Sequence, residues 1–225
     1  MTASKLAITP IPQAKDNKIE SYFTDGEIKH FLKDEIIING DIAPQGVYLI
    51  KKGFVKAYTI TKAGQENLLL IHKADEFIPL IWALDGAHVE GLFYEAMSDV
   101  TVLRSTKEKL RSNMESNIWL CQEILKQAVN IITVYSQRIQ TLEFRTAHDR
   151  LVAELLNLAE LFGKPQGDEI LINAPITHQD IADSINMSRE TASRALEQLF
   201  EEGLIKQVDH LFTVRRVGKL EEQSG

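Results

Sequence analysis

The spacing of apolar residues changes twice along this chain. Residues 1–20 show no period and are expected to form an irregular arm. From Ile36 onward, short apolar runs alternate with turn residues. The runs are Ile36–Ile38, Val47–Lys51, Phe54–Thr61, Asn67–His72, Leu92–Ala96 and Val100–Ser105, with Gly40-Asp41, Lys52-Gly53, Ala63-Gly64 and Ser98-Asp99 between them. Many short strands at this spacing predict an antiparallel β-barrel or jelly roll. Residues 106–116 read as a short helix and connection.

A seven-residue period follows. Ile118, Leu125, Ile132 and Ile139 occupy one heptad position, and Met114, Cys121, Ala128, Tyr135 and Leu142 the other. Four heptads of this kind predict a long helix in a two-stranded coiled coil, with β-branched residues where parallel dimers favour them. Ile124 and Ile131 widen the stripe, as packing on the barrel requires. A helix buried within its own domain explains an apolar stripe but not so regular a repeat, so a homodimer is expected, with Cys121 an inert thiol in the seam.

The last third has a third rhythm. Thr146 can cap a helix running to about Phe162, which stops at Gly163-Lys164-Pro165; Arg145–His148 is then a natural hinge. A strand at Ile170–Asn173 precedes Thr177–Ile205, which reads as two short helices joined by a turn. Thr177 with Asp180 resembles a capping box, Asn186-Met187-Ser188 supplies the turn, and Gly203 ends the second helix. Ile205–Val208 and Leu211–Val214 flank Asp209-His210 as a hairpin, completing a winged helix-turn-helix. The fold class is α+β, with expected units at 1–112 (sensor barrel), 113–145 (dimerisation helix and hinge) and 146–225 (winged helix).

The second of the two short helices turns Arg189, Glu190, Ser193 and Arg194 outward. An arginine fork can bridge the O6 and N7 acceptors of guanine, and a glutamate can accept from the amino group of cytosine. A solvated face with helical charge pairs would show the same residues. Composition cuts against indiscriminate DNA binding. The net charge is −7, and residues 146–225 hold 8 Lys+Arg against 14 Asp+Glu, which disfavours a broad phosphate-binding surface. The single cysteine leaves no disulfide framework, multi-cysteine zinc site or intramolecular iron-sulfur cluster, and fits a reducing cytoplasm. The N-terminal residues lack the charged start and apolar stretch of a secretory signal, so none is expected, and the longest apolar run, Ile78–Leu84, is too short for a membrane span. No phosphate-binding glycine loop, nucleophile elbow or metal motif suggests an enzyme.

The order of barrel, long helix and winged helix resembles the Crp/Fnr family of bacterial transcription regulators. The stretch SRETASRAL at 188–196 is similar to that family's recognition helix, LLNLA at 155–159 to its first C-terminal helix, and VYLIKKG at 47–53 to its barrel. The resemblance implies base reading by Arg189, Glu190, Ser193 and Arg194 on a palindrome with TGA in each half, since the family's TTGAT and TGTGA half-sites both contain it. Half-site centres would lie about 34 Å apart. Thr177, Ser188, Lys206 and His210 are candidates for DNA-backbone contacts, although His210 serves equally as a wing-tip residue. Double-stranded DNA, a second copy of the chain and RNA polymerase are the implied partners, with a small-molecule effector as a further candidate. A second reading has the acidic winged helix acting mainly on a protein such as the polymerase.

The effector pocket departs from the family. Its cyclic-nucleotide binders carry Phe-Ile-Gly-Glu and then Arg-Ser-Ala, where the glutamate holds the ribose and the arginine the phosphate. Here Phe77-Ile78 is followed by Pro79-Leu80, and Glu90-Gly91-Leu92 takes the arginine motif's place. A carboxylate there would repel a phosphate, so cAMP and cGMP are not expected to bind in the family manner. Pro79, Leu80, Ile81, Trp82, Leu84, Glu90, Gly91 and Leu92, with Tyr135 and Ser136 from the dimer helix, are the candidate pocket residues. They suit either a less polar effector or a pocket filled by its own side chains, and the filled pocket is preferred because apolar clusters inside barrels are usually core. No cofactor is expected. Haem would need an axial ligand, and His72 and His88, the histidines of the barrel, are more readily surface or satisfied core residues; histidine spacing offers no metal site.

Overall fold

The computed structural model describes residues 19–23, 25–141, 143–144 and 146–215. The expected arm up to residue 18, the heptad position Leu142 and the hinge residue Arg145 lie outside them. Ile19–Tyr22 forms one 3₁₀ turn, after which Phe23 is buried beside Phe77 with ring centroids 5.3 Å apart.

Eight strands and one short helix make the N-terminal unit: β1 (Glu27–Phe31), β2 (Ile36–Ile38), β3 (Val47–Lys52), β4 (Val55–Ile60), β5 (Glu66–His72), β6 (Phe77–Ile78), α1 (Leu80–Ala83), β7 (Leu92–Ala96) and β8 (Val100–Ser105). They form two antiparallel sheets, ordered β1-β8-β3-β6 and β2-β7-β4-β5. The arrangement is jelly-roll-like and not a closed barrel. Tyr48, Ile50, Val55, Ala57, Tyr94 and Val102 fill the space between the sheets. Strand β3 shows why alternation is faint here. Its Val47 and Leu49 point away from that interior into a second core under the helices, so Val47–Ile50 are all buried. The turn at Gly53 needs glycine: φ is +94°, and a Cβ would stand 2.5 Å from the Asp99 carbonyl oxygen. The sequence reading missed β1, β6 and α1. β1 has little apolar alternation of its own and is held by pairing with β8.

Helix α2 (Lys107–Ser116) is capped by Thr106, whose Oγ1 accepts from Lys109 N at 3.1 Å. Asn117 then adopts extended geometry, and its Oδ1 accepts from Leu120 N at 2.9 Å, starting helix α3 (Ile118–Thr141) afresh. Met114 therefore belongs to α2 and not to the heptads of the long helix. Leu120, Ile124, Ile131 and Val134 make the buried face of α3, the first three in the core with Leu49, Phe77 and Leu110. Gln127 lies on the same side and acts as a strand would: its Oε1 accepts from Phe77 N at 2.9 Å and its Nε2 donates to Phe77 O at 2.8 Å.

The C-terminal unit comprises α4 (Ala147–Phe162), β9 (Gly163–Gln166), β10 (Glu169–Ile172), α5 (His178–Ser184), α6 (Arg189–Glu201), β11 (Ile205–Val208) and β12 (Leu211–Arg215), with sheet order β11-β12-β10-β9. Thr146 caps α4 by accepting from Asp149 N. The helix stop at Gly163-Lys164-Pro165 is itself strand β9, which the sequence reading took for a connection. Asp209 and His210 both have positive φ, as a two-residue hairpin turn demands. Leu151, Leu155, Ile181, Leu196, Leu199 and Phe212 form the core, and Phe54 and Ile71 of the jelly roll pack against it.

Gln127→Ala would leave the Phe77 N–H and C=O without their partners in a half-buried site, at a cost of about 1–3 kcal/mol. The exposed neighbour Lys126→Ala should stay within about 0.5 kcal/mol of the parent. Urea unfolding of both variants measures the difference, and equal midpoints would refute the bridging role.

Candidate nucleic-acid interface and effector pocket

The helix-turn-helix is fixed by a side-chain cap at the start of each of its helices. Thr177 Oγ1 accepts from Asp180 N at 3.1 Å while Asp180 Oδ2 accepts from Thr177 N at 2.8 Å, a complete capping box. Asn186 takes the left-handed conformation at φ +53°, and Met187, half-buried, packs against the domain core. Ser188 Oγ accepts from Thr191 N at 3.2 Å and starts α6. Ala192, Leu196 and Leu199 turn inward. Arg189, Glu190 and Arg194 are left exposed on the opposite side, with Ser193 half-exposed beside them. Among the described residues, no ion pair takes up these three charges. The four candidate base-reading residues thus share one open face over the first two turns of a helix.

The candidate backbone contacts are more dispersed. Thr177 and Ser188 sit at the two helix starts, both exposed, with their hydroxyls already engaged as caps. Lys206 on β11 reaches across to Glu169 at 2.5 Å, and His210 stands exposed at the wing tip. The second half of α6 exposes Glu197, Glu201 and Glu202.

The candidate effector residues converge only in part: Pro79, Ile81, Trp82 and Leu92 meet at one small void, and the others lie elsewhere. Pro79 and Trp82 line a void of only about 10 Å³ with Ile38, Pro44, His88 and Tyr94, enough for about one water and far below the roughly 300–1,000 Å³ of a ligand pocket. Leu80 turns instead into the core beside Phe77 and Leu110. Glu90 is exposed, and Gly91 donates its N–H to Gly40 O in the loop between β2 and β3. Tyr135 is half-buried against the helix-covered core, while Ser136 is exposed and bonds its own helix at Ile132 O. Lys107 sits 5.0 Å over the Trp82 ring. The three roll histidines are engaged: His72 Nδ1 lies 2.8 Å from Glu76 Oε2, His88 Nε2 3.2 Å from Gly40 O, and His30 Nδ1, on a strand the sequence reading missed, 3.2 Å from Thr101 Oγ1.

These parts have counterparts in known proteins. Residues 28–117 match the cyclic nucleotide-binding domain family and residues 149–223 the Crp-like helix-turn-helix domain family. The chain belongs to the Crp/Fnr family. It is 29% identical to the "Global nitrogen regulator" of Nostoc sp. (strain PCC 7120) over 84% of either protein. Identity to the "cAMP-activated global transcriptional regulator CRP" of Salmonella typhimurium is 24%, covering 84% of this chain and 90% of that one. A CooA mutant from Carboxydothermus hydrogenoformans shares the fold with a TM-score of 0.76 at 20% identity, covering 91% of this chain and 90% of that one. Crp/Fnr-type proteins are DNA-binding transcription regulators and not enzymes. Among the described residues, no helix is long and apolar enough to cross a membrane.

One cluster escaped the sequence reading because its members come from separate strands and a helix. Lys56 on β4 lies 2.7 Å from Glu66 and 3.1 Å from Glu95, and Tyr58 donates to Glu95 at 3.0 Å. Burial pulls the Lys56 ammonium down, but the two carboxylates outweigh it and hold it above the usual lysine range. Burial, reinforced by Glu95, pushes the Tyr58 phenol well up. Against this surface lies α5, whose Asp183 accepts from Gln179 Nε2 at 2.8 Å. Burial above all, and then Glu66 across the contact and Asp180 on the same helix, raise the Asp183 carboxyl over its ordinary 3.8; Gln179 and Lys56 oppose them.

A raised carboxyl pKa means that the folded arrangement favours the protonated acid. The contribution of Asp183 is therefore full below its ordinary value and lost as pH climbs through the raised one. Asp183→Asn keeps the shape and removes the titration. Its melting temperature should gain on the parent progressively as pH rises from the ordinary carboxyl value of 3.8 through the raised one. A difference that stays constant across that range would refute the assignment.

Proposed function

We propose that this chain is a homodimeric, sequence-specific regulator that reads TGA-containing palindromic half-sites through α6 and does not take cAMP in the family manner. The observation that carries the reading is the face of α6. Two arginines and a glutamate stand exposed over its first two turns, next to a half-exposed serine, on a helix whose start is fixed by a serine cap and whose back is locked in the core. Such a helix can enter a major groove with its hydrogen-bonding groups free. Arg194 is assigned to guanine, Glu190 to cytosine, and Arg189 and Ser193 to flanking positions. Thr177, Ser188, Lys206 and His210 are assigned to the sugar-phosphate backbone.

Dimerisation is supported by the outer face of α3. Ile118, Leu125, Val129, Ile132 and Ile139 are each more than half exposed and lie along one line of the helix. An apolar ridge of this length calls for a partner surface, and a second copy of the same helix supplies one. The seam then alternates the 118/125/132/139 series with Val129 and Ser136. Cys121, Ala128 and Tyr135 are half-buried towards the jelly roll and form its flank.

The small void at Pro79 and Trp82 favours a filled pocket. No effector need enter the jelly roll for α6 to read DNA, and neither haem nor an iron-sulfur cluster is assigned. The alternative, in which the winged helix acts mainly on a protein such as RNA polymerase, draws its support from exposed Glu197, Glu201 and Glu202.

Selection from a randomised duplex pool by the ligand-free protein, at near-physiological salt, should enrich a palindrome with TGA in each half. Failure to enrich any sequence would favour the protein-partner reading. On the selected operator, Arg194→Ala should weaken binding by about 1–3 kcal/mol per half-site and relax specificity at one position. Equal loss on operator and random DNA would refute its base-reading role. Ile132→Glu should convert the dimer to monomer in sedimentation velocity, and an unchanged sedimentation coefficient would remove α3 as the seam.

A further inference from the structure

The β2 end of the jelly roll carries a cleft that the DNA-reading role of α6 does not use. Strand β2 is an edge strand, paired only with β7 among the described residues. Its register shifts, so that Ile36 and Ile38 stand opposite the neighbouring residues Glu95 and Tyr94. A bulge of this kind re-aims side chains. Ile37 and Ile38 are both buried, where plain alternation would bury one. The chain then turns away from the edge. Asn39 Oδ1 accepts from Asp41 N at 2.9 Å, and Gly46 passes so close to β8 that a Cβ there would stand 2.9 Å from the Ser105 carbonyl oxygen. Between β2, this loop and the start of β3 lies a cleft of about 350 Å³. That is within the roughly 300–1,000 Å³ of ligand pockets and far larger than the void at Pro79 and Trp82. The two cavities share Ile38 and Pro44 as a common wall.

The walls select a class of occupant. None of the described residues lining the cleft is charged, so neither an anion nor a cation finds a counter-charge there. Ile36 and Ile42 stand at the rim with 43% and 54% exposure, apolar surface of the kind that marks a binding groove. Tyr48 forms part of the floor at 8% exposure. Among the described residues no group bonds its hydroxyl, which still reaches solvent. A polar group at such a site is satisfied by water or by a ligand. The exposed amide side chains of Asn39 and Gln45 add further hydrogen-bonding groups at the rim.

We infer that this cleft binds an uncharged amphiphile of small-molecule size, its apolar body against Ile36, Ile37 and Ile42 and its hydroxyl or amide end on Tyr48. The site is distinct from the pocket expected around Pro79 and Trp82, and it does not depend on whether α6 reads DNA.

The test titrates the full chain, labelled at its isoleucine methyl groups, with 1-octanol, octanamide and 4-propylphenol, and with octanoate as the charged counterpart. At least one neutral probe should bind with a dissociation constant below about 1 mM and move the methyl signals of Ile36, Ile37 and Ile42, with octanoate at least about tenfold weaker. Tyr48→Phe should weaken the neutral probe about two- to tenfold, the loss of one hydrogen bond. Ala43→Trp places a large side chain at an exposed position of the lining and should abolish binding. Val89→Asp, which borders only the void at Pro79 and Trp82, should leave it unchanged. Should Ala43→Trp not fold, Ile42→Asp at the exposed rim takes its place, with a loss of about tenfold expected. Failure of every neutral probe to bind below about 1 mM would overturn the site, as would equal affinity for octanoate or shifts confined to the isoleucines of α3. Weakening by Val89→Asp with Ala43→Trp unaffected would move the ligand to the other cavity, and an unchanged affinity in Tyr48→Phe would remove the hydroxyl from the assignment.

Discussion

Helix α3 carries apolar residues on two sides, one buried and one exposed, and much of the molecule is arranged around it. Its inner face closes the core over β3 and β6, where the sheet carries a second apolar side that the jelly-roll interior does not use. That face contains Gln127, because β6 is only two residues long and leaves the backbone of Phe77 in need of partners. A helix that contributed only aliphatic side chains there would strand those groups at a cost of about 1–3 kcal/mol. The outer ridge of Ile118, Leu125, Val129, Ile132 and Ile139 lies on the opposite side and cannot turn inward without pulling Leu120 and Ile124 into water. The two sets are thus coupled by helical geometry, and neither can be altered in phase without disturbing the other.

How much of this was readable in the chain follows from whether the signal is local. Caps and turns are local. Thr177 with Asp180, Ser188 and Thr146 act within three residues of themselves, and each was legible from its spacing; Thr106 caps α2 in the same way and was not read as a cap. The left-handed Asn186 and the Asp209-His210 turn are likewise written in residue type. The heptads were legible as a repeat, but the series that lies beside 118/125/132/139 on the exposed side passes through Val129. It does not pass through Cys121, Ala128 and Tyr135. Both series are spaced three and four residues from the first, so sequence periodicity alone cannot choose between them. What chooses is the position of the jelly roll against Leu120, Ile124 and Ile131. β1 was illegible for a related reason, since its strand character comes from β8, some seventy residues away.

The candidate site divides along the same line. The DNA-facing set on α6 is contiguous in sequence and could be read there. The effector set was drawn from three separate stretches and converges only in part: Pro79, Ile81, Trp82 and Leu92 meet at one small void, while Leu80 enters the helix-covered core, Glu90 stays in solvent and Ser136 bonds its own helix. Arg138, which donates to the carbonyls of Leu68 and Ser184, Lys73, which donates to that of Leu161, and the Lys56–Glu66–Glu95 cluster left no signal at all, because each joins elements distant in the chain. A charged residue near the end of an amphipathic helix looks like solvated surface until the elements it bridges are known.

The acidity of the winged helix bears on this arrangement. Seven residues separate Arg194 from Glu201, which at 1.5 Å per residue is about 10 Å along α6, close to one Debye length at 0.1 M salt. Glu201 and Glu202 are therefore partly screened from phosphates held at the first two turns, whereas Glu197, three residues from Arg194, is not, and the acidic half opposes contacts that would bring the whole helix against a backbone. On the function proposed for α6, a chain with few phosphate-binding cations must draw a larger share of its affinity from base contacts. Its non-specific binding is then weak and its salt dependence shallow, because few counterions are released.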